Sequence, residues 1–214
     1  MKRNQSGFTL IEIAIVLVII GLLIGGVLKG QELINSAKVK NLATDFKNIP
    51  VFIYGYQDKF KALPGDDKDP ATHVGSPVTN VTPTGGQTLG NGIIEGPWLP
   101  TALTDETLLF WQHIRVAGLA PGPTTLALTG FLPTNASGGN VGVQSGSNSP
   151  ITGLRGTYII CSEGILGKFV TQLDTTMDDG KPNSGSMMTL SLSAAPAAAT
   201  TIDETLTYTV CMGV

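Results

Sequence analysis

The chain has 214 residues, of which only 14% are charged, and a net charge of −3. That leaves no basic footprint for nucleic acid, and the length suits one globular domain once a targeting or anchoring segment is set aside. With 27 glycines and 13 prolines, a loop-rich, strand-bearing domain is expected in place of a helical bundle. The composition also lacks the high charge of a disordered chain.

The first seven residues, MKRNQSG, are polar and cationic through Lys2 and Arg3. Residues 8–28 follow as FTLIEIAIVLVIIGLLIGGVL, which at about 1.5 Å rise per residue reaches about 30 Å, one hydrocarbon thickness. The preceding cations favour an N-terminus kept in the cytoplasm with the remainder carried across, and Lys29 marks the far interface. An ordinary secretory signal has a shorter apolar core with a small-residue cleavage site behind it; here the small residue, Gly7, stands in front. Glu12 lies inside the apolar run. A charge in a membrane helix costs about 2.5–3.5 kcal/mol, so a partner is expected for it.

The stretch SGFTLIEIAIVLVIIGLL resembles the prepilin N-terminus shared by type IV pilins and the pseudopilins of type II secretion. The resemblance implies that a membrane peptidase cuts between Gly7 and Phe8 and that the new Phe8 amine is N-methylated. It also implies that the retained run serves first as membrane anchor and later as packed filament core. Cleavage would leave a positive amine where the helix macrodipole is already positive. Glu12, the fifth residue after that cut, is placed to neutralise the amine of its own chain or of a neighbour, which would fix axial register. The alternative is a Glu12 side chain snorkelling to the headgroups.

Gly21/Gly25 and Gly26/Gly30 are small-xxx-small pairs that let helices approach closely in lipid. Each Gly also weakens a helix by about 1 kcal/mol relative to Ala. The resemblance implies local unwinding here on entry into a filament, although Lys29 stands where many family members carry proline.

Beyond Lys29, apolar residues recur at Val39, Leu42, Phe46, Ile49, Ile53, Tyr56, Phe60 and Leu63, the alternating three-and-four spacing of one helical stripe. Asp45, Lys47, Asp58 and Lys59 lie off it. The spacing predicts one helix from about Phe8 to about Ala62, about 80 Å long, bent at Pro50 and stopped by Leu63-Pro64-Gly65-Asp66-Asp67. Residues 65–100 read as a long loop region. A helix is predicted within 104–122, capped by Thr104 and facing inward through Phe110, Trp111, Ile114 and Ala117.

Residues 130–156 read again as loop. Strands are expected at 157–164, 167–174, 187–193 and 205–213, with Leu190/Leu192 and Leu206/Tyr208/Val210 on one side of the last two. Residues 194–201, AAPAAATT, are a small-residue connector. Cys161 and Cys211 are the two cysteines. In an exported domain a disulfide between them would contribute about 4 kcal/mol by loop closure; two buried free thiols are the alternative. YQDKFKALPGDD (56–67), LLFWQHIRVAGL (108–119) and LDTTMDDGKPNSG (173–185) resemble a subset of prepilin-type proteins and assign no chemistry.

The expected fold is therefore α+β and pilin-like, with one long N-terminal helix packed on an antiparallel β-sheet head bearing long loops. Its parts are a leader (1–7), a transmembrane or filament-core half-helix (8–28), the second half-helix (29–62) and a β-rich head (63–214).

Two acidic clusters, Asp66/Asp67/Asp69 and Asp174/Asp178/Asp179, invite a calcium reading, and the resemblance adds that some pseudopilins hold calcium in a head loop. Neither cluster has the D-x-[DN]-x-[DN]-G ladder, so solvated turns are expected and no cofactor or metal is called for. His73 and His113 are far apart in sequence and are expected at the surface or locally satisfied. No hydrolase, metalloprotease or P-loop motif is present in the sequence, so no enzyme is expected. Asn80 and Asn135 open glycosylation sequons.

The function implied is a structural subunit of a type IV pilus or pseudopilus, with other pilin subunits, the prepilin peptidase/methyltransferase and the inner-membrane assembly machinery as partners. It would reside in the inner membrane with its head periplasmic, then in a filament. The other readings are an uncleaved, membrane-tethered periplasmic binding module and a secreted enzyme with a discarded signal.

Overall fold

The computed structural model describes residues 9–83, 86–193 and 195–214. In chain order the elements are α1 (Leu10–Phe60), α2 (Pro70–Val74), α3 (Glu106–Val116), β1 (Val141–Ser145), β2 (Tyr158–Leu166), α4 (Gly167–Met177), β3 (Met187–Thr189) and β4 (Thr207–Gly213). Two compact units divide the chain, one up to Lys38 and one over Val39–Val214. The first is helical from Leu10 onward, unbroken through its glycines, and carries its large apolar residues on the outside.

In the second unit α1 becomes a core element, and it runs through Pro50 without ending there. Val39, Leu42, Phe46, Ile49, Ile53 and Tyr56 are all buried, as the stripe requires. Each such side chain taken out of water contributes about 1.5–3 kcal/mol.

The sheet is four-stranded and antiparallel, in the order β1-β2-β4-β3. Alternation along β2 divides two cores. Tyr158 and Ile160 join the large cluster of α1, α3 and α4, while Ile159 and Cys161 join a smaller one with Trp98, Ile151, Leu154 and Met188. Cys161 and Cys211 are direct cross-strand partners and form a disulfide. The β2–β4 register shifts between Ser162 and Ile165. The Glu163 carbonyl there accepts from Asn135 Nδ2 at 2.7 Å, and Ser162 Oγ accepts from the same nitrogen at 2.7 Å.

Several expectations are corrected. Residues 167–174 are not a strand: β2 passes directly into helix α4, whose Phe169, Val170 and Leu173 are buried at helical spacing. The region 130–156 holds strand β1 and a 3₁₀ turn at Gly146–Asn148, and the 65–100 region holds short α2. The N-cap of α3 is Asp105, not Thr104. Strand β3 ends at Thr189, leaving Leu192 exposed, and Leu206 is exposed before β4 begins. Helix α3 has no solvent face over 106–115, all of which is buried, and loop residues of the 87–95 and 121–131 stretches are hydrogen-bonded to it.

Candidate functional site

At the N-terminal segment, Gly7 and Phe8 lie outside the described residues. Thr9 precedes the first turn of α1, and Glu12 lies three residues along. The Thr9 N–H and hydroxyl each donate to Glu12 Oε2 at 2.8 Å, and the Glu12 N–H donates to Thr9 Oγ1 at 3.3 Å. This is a reciprocal capping box, and it satisfies backbone donors that a helix start leaves open. Thr9 was not singled out in the sequence, although T-x-x-E ahead of an apolar run is the signature of such a cap.

From Leu10 to Leu28 the large apolar residues are exposed. A side chain at Gly21, Gly25, Gly26 or Gly30 would meet no atom within 4 Å, so these glycines leave open surface on this chain. Lys29 pairs with Glu32 at 2.7 Å at the end of the run. A helix of this length and composition satisfies the requirements of a membrane span.

The head brings together polar residues that are scattered in sequence. The turn after α1 is held by Gly65, at φ +92°, where a side chain would collide with the Glu106 carbonyl. Asp66 is buried and accepts from the backbone N–H groups of Gly90, Asn91 and Gly92, fixing the 90–92 loop. Burial pushes its carboxyl up, and those hydrogen bonds oppose the shift. Asp67 Oδ2 accepts from the Tyr56 hydroxyl at 2.7 Å and pairs with His73 Nδ1 at 2.7 Å. The cluster Asp66/Asp67 is thus a buried bracket, not a solvated turn; only Asp69, bonded to Asn80 Nδ2 at 2.9 Å, is near the surface.

His113 is buried as well, so of the two roles expected for it, at the surface or locally satisfied, it takes the second at Nδ1. Its Nδ1 accepts from the Gly65 N–H at 3.0 Å, while Nε2 is buried without a partner among the described residues. Burial lowers its pKa to about 4. The two histidines meet through stacked rings, His73 on Phe60, Phe60 against Tyr56, and Tyr56 on His113. Two turns before, Glu106 Oε2 accepts from the Glu95 N–H at 2.7 Å and Oε1 is unpartnered among the described residues; burial, then the charges of Asp66 and Glu95, push this carboxyl up to about 8.

Arg115 donates to the carbonyls of Pro121, Pro123 and Phe131 and lies 4.6 Å over the Phe131 ring. It ties down the loop after α3. These groups fasten loops to helices, and in the ~600 Å³ cleft beside them Gln57, Asp66, Asp67, Asp69 and His73 are bonded within the fold.

The second acidic cluster is gathered at the end of α4. One carboxylate oxygen each from Asp174, Asp178 and Asp179 lies within 4.8 Å of the others. Burial, opposed by the Gly180 hydrogen bond and reinforced by the neighbouring aspartates, pushes Asp174 up to about 6. Of the two sequons, Asn135 is buried with its amide nitrogen engaged, and the Asn80 amide is bonded to Asp69.

Residues 2–28 match the family model described as the prokaryotic N-terminal methylation motif. The match supports the type IV pilin and pseudopilin family and a type IV pilin-like precursor. The long apolar helix, the antiparallel sheet and the Cys161–Cys211 disulfide fit that class, and the apolar helix fits membrane anchoring. No curated protein and no solved structure matches the chain.

Proposed function

We propose that the chain is a structural subunit of a type IV pilus or of a pilus-like pseudopilus of type II secretion, and not an enzyme. Prepilin peptidase cuts between Gly7 and Phe8 and Phe8 is N-methylated. The precursor is held in the inner membrane by residues 8–28 with its head in the periplasm. Assembly machinery then draws it into a filament of like subunits, where the same helix is packed. No cofactor is needed for this task.

The observation that carries this reading is the apolar surface of Leu10–Leu28, exposed on this chain directly behind the matched motif. Burying it in lipid or among neighbouring helices is what makes such a surface stable. Gly21, Gly25, Gly26 and Gly30 supply open surface for close helix approach. Among the described residues Thr9 engages only Oε2 of Glu12, and in this reading Oε1 is the oxygen that meets the Phe8 amine of the same or an adjacent subunit.

N-terminal sequencing of the purified native protein tests the processing step. N-methyl-Phe at residue 8 is expected; an intact Met1 would support a tethered module instead, and a start near Gly30 a discarded signal. Glu12→Ala is expected to be cleaved normally yet yield at least about tenfold less sheared filament, as loss of a buried charge pair implies. Wild-type filament yield by immunoblot of the sheared fraction would exclude the register role.

A further inference from the structure

We propose that a small pocket on the head, with Asp45 in its wall, receives a lysine side chain from a second copy of this chain. This contact presupposes the filament role proposed above and would be one by which a subunit holds the next. The pocket has a volume of about 140 Å³. Asp45 and Phe52 reach it from α1, Trp111 from α3, Val141 from β1, and Pro121 and Pro133 from the stretch between α3 and β1. Of these, Asp45 alone is polar.

The state of Asp45 points to the ligand. It is half-buried, and it has no hydrogen bond or ion pair among the described residues. Burial pushes its carboxyl up, and no neighbouring positive charge opposes the shift. On a helix the side chains within reach stand three and four residues away. For Asp45 these are Asn41, Leu42, Asn48 and Ile49, none of them cationic. Arg115, 5.7 Å from the Trp111 ring, is committed to the carbonyls of Pro121, Pro123 and Phe131. A carboxylate half withdrawn from water is costly, and a cation that meets it offsets that cost.

The walls give the cation its shape. Proline offers no N–H, and the carbonyls of Pro121 and Pro133 already accept from Arg115 and from the Val141 N–H. What the pocket presents is a free carboxylate beside apolar surface, the complement of an ammonium on an alkyl stem. Liquid water takes about 30 Å³ per molecule, so the space suits about five non-hydrogen atoms. That matches the four-carbon stem and nitrogen of lysine and falls short of the larger guanidinium of arginine.

The chain carries such groups on its own surface. Lys40, Lys47 and Lys68 are exposed and have no acidic partner among the described residues. Lys47 stands two residues from Asp45 and so faces another way on the same helix. Each copy thus bears unpaired lysines outside and an unpaired carboxylate in a recess, which makes like copies complementary.

The test has two arms. In the first, the full chain in detergent is titrated with n-butylammonium chloride while the Trp111 indole N–H resonance is followed, told from that of Trp98 by a Trp98→Phe variant. A saturable shift is expected, with sodium chloride and n-butanol giving none. Asp45→Asn should raise the half-saturation concentration at least about tenfold. No shift, an equal shift with n-butanol, or an undiminished one in Asp45→Asn would overturn the pocket. In the second arm, sheared filaments assembled from mixed light and heavy isotope-labelled subunits are treated with a zero-length carbodiimide. A peptide joining Asp45 of one label to a lysine of the other is expected. Filaments in which Asp45 links only within one label, only to a different protein, or to nothing would overturn the second copy as occupant. A preparation that yields no filaments would instead remove the filament role itself, and this contact with it.

Discussion

Glu106 and His113 stand two turns apart on α3, and burial, which favours the neutral form of each, moves their pKa values in opposite directions. Glu106 titrates at about 8 in the folded head against an ordinary value near 4.5, so the folded state holds its proton where the unfolded chain has lost it. Stability from this group is full below 4.5 and is lost as pH rises to 8. His113 titrates at about 4 against 6.5, so its contribution is full above 6.5 and is lost as pH falls to 4. Between 4.5 and 6.5 the two slopes oppose one another, and from 6.5 to 8 Glu106 acts alone. Denaturant unfolding of the head is therefore expected to weaken from pH 6.5 to 8, by up to about 1.4 kcal/mol per pH unit. Glu106→Gln should flatten that limb; a limb as steep as in the wild type would remove Glu106 as its source. The site's residues were only partly legible in sequence. Thr9 was readable from its spacing to Glu12, whereas the burial of Asp66, Asp67 and His113 comes from loops closing over them, which no local pattern encodes.

Among the elements, those with long periodic signals were legible and those defined by tertiary contact were not. The α1 stripe from Val39 to Leu63 could be placed residue by residue, because seven apolar steps admit one helical phase. In GKFVTQLD the adjacent Phe169 and Val170 break strict alternation, and with Leu173 and Met177 they fit a helix; the β-branched and aromatic content misled. Strand β1 is invisible in VGVQS because its second residue, Gly142, lies against the Trp98 backbone, leaving two valines to carry the pattern. Strands β2 and β4 were found, and their pairing makes the disulfide a clamp across adjacent strands. Replacing Cys161 and Cys211 together by Ala should cost about 4 kcal/mol by the loop-closure model. The check is the denaturation midpoint of oxidised wild type against the double variant; equal midpoints would show that strand pairing alone suffices.

At the scale of the whole molecule, the buried apolar residues among those described all lie at or beyond Val39, while the large ones of Leu10–Ile34 are exposed. The head thus owns its core. Residues 35–214 expressed alone are expected to be monomeric without detergent and to melt cooperatively, with chromatography and circular dichroism as the measures. Aggregation, or a broad non-cooperative melt, would show that the head draws stability from the preceding helix.

The strand order β1-β2-β4-β3 places the fourth strand made between two that precede it. Neither β2 nor β3 has its inner neighbour until residues 207–213 have emerged. A chain carried across a membrane from its N-terminus would deliver the helix first and the keystone strand last. In a chain so carried the head would travel as an open sheet and shut in one late step, after nearly all of it had crossed. That order would keep the passenger threadable for the whole transit and leave the edges of β2 and β3 exposed until the end, which is when a chaperone on the far side would have most to hold.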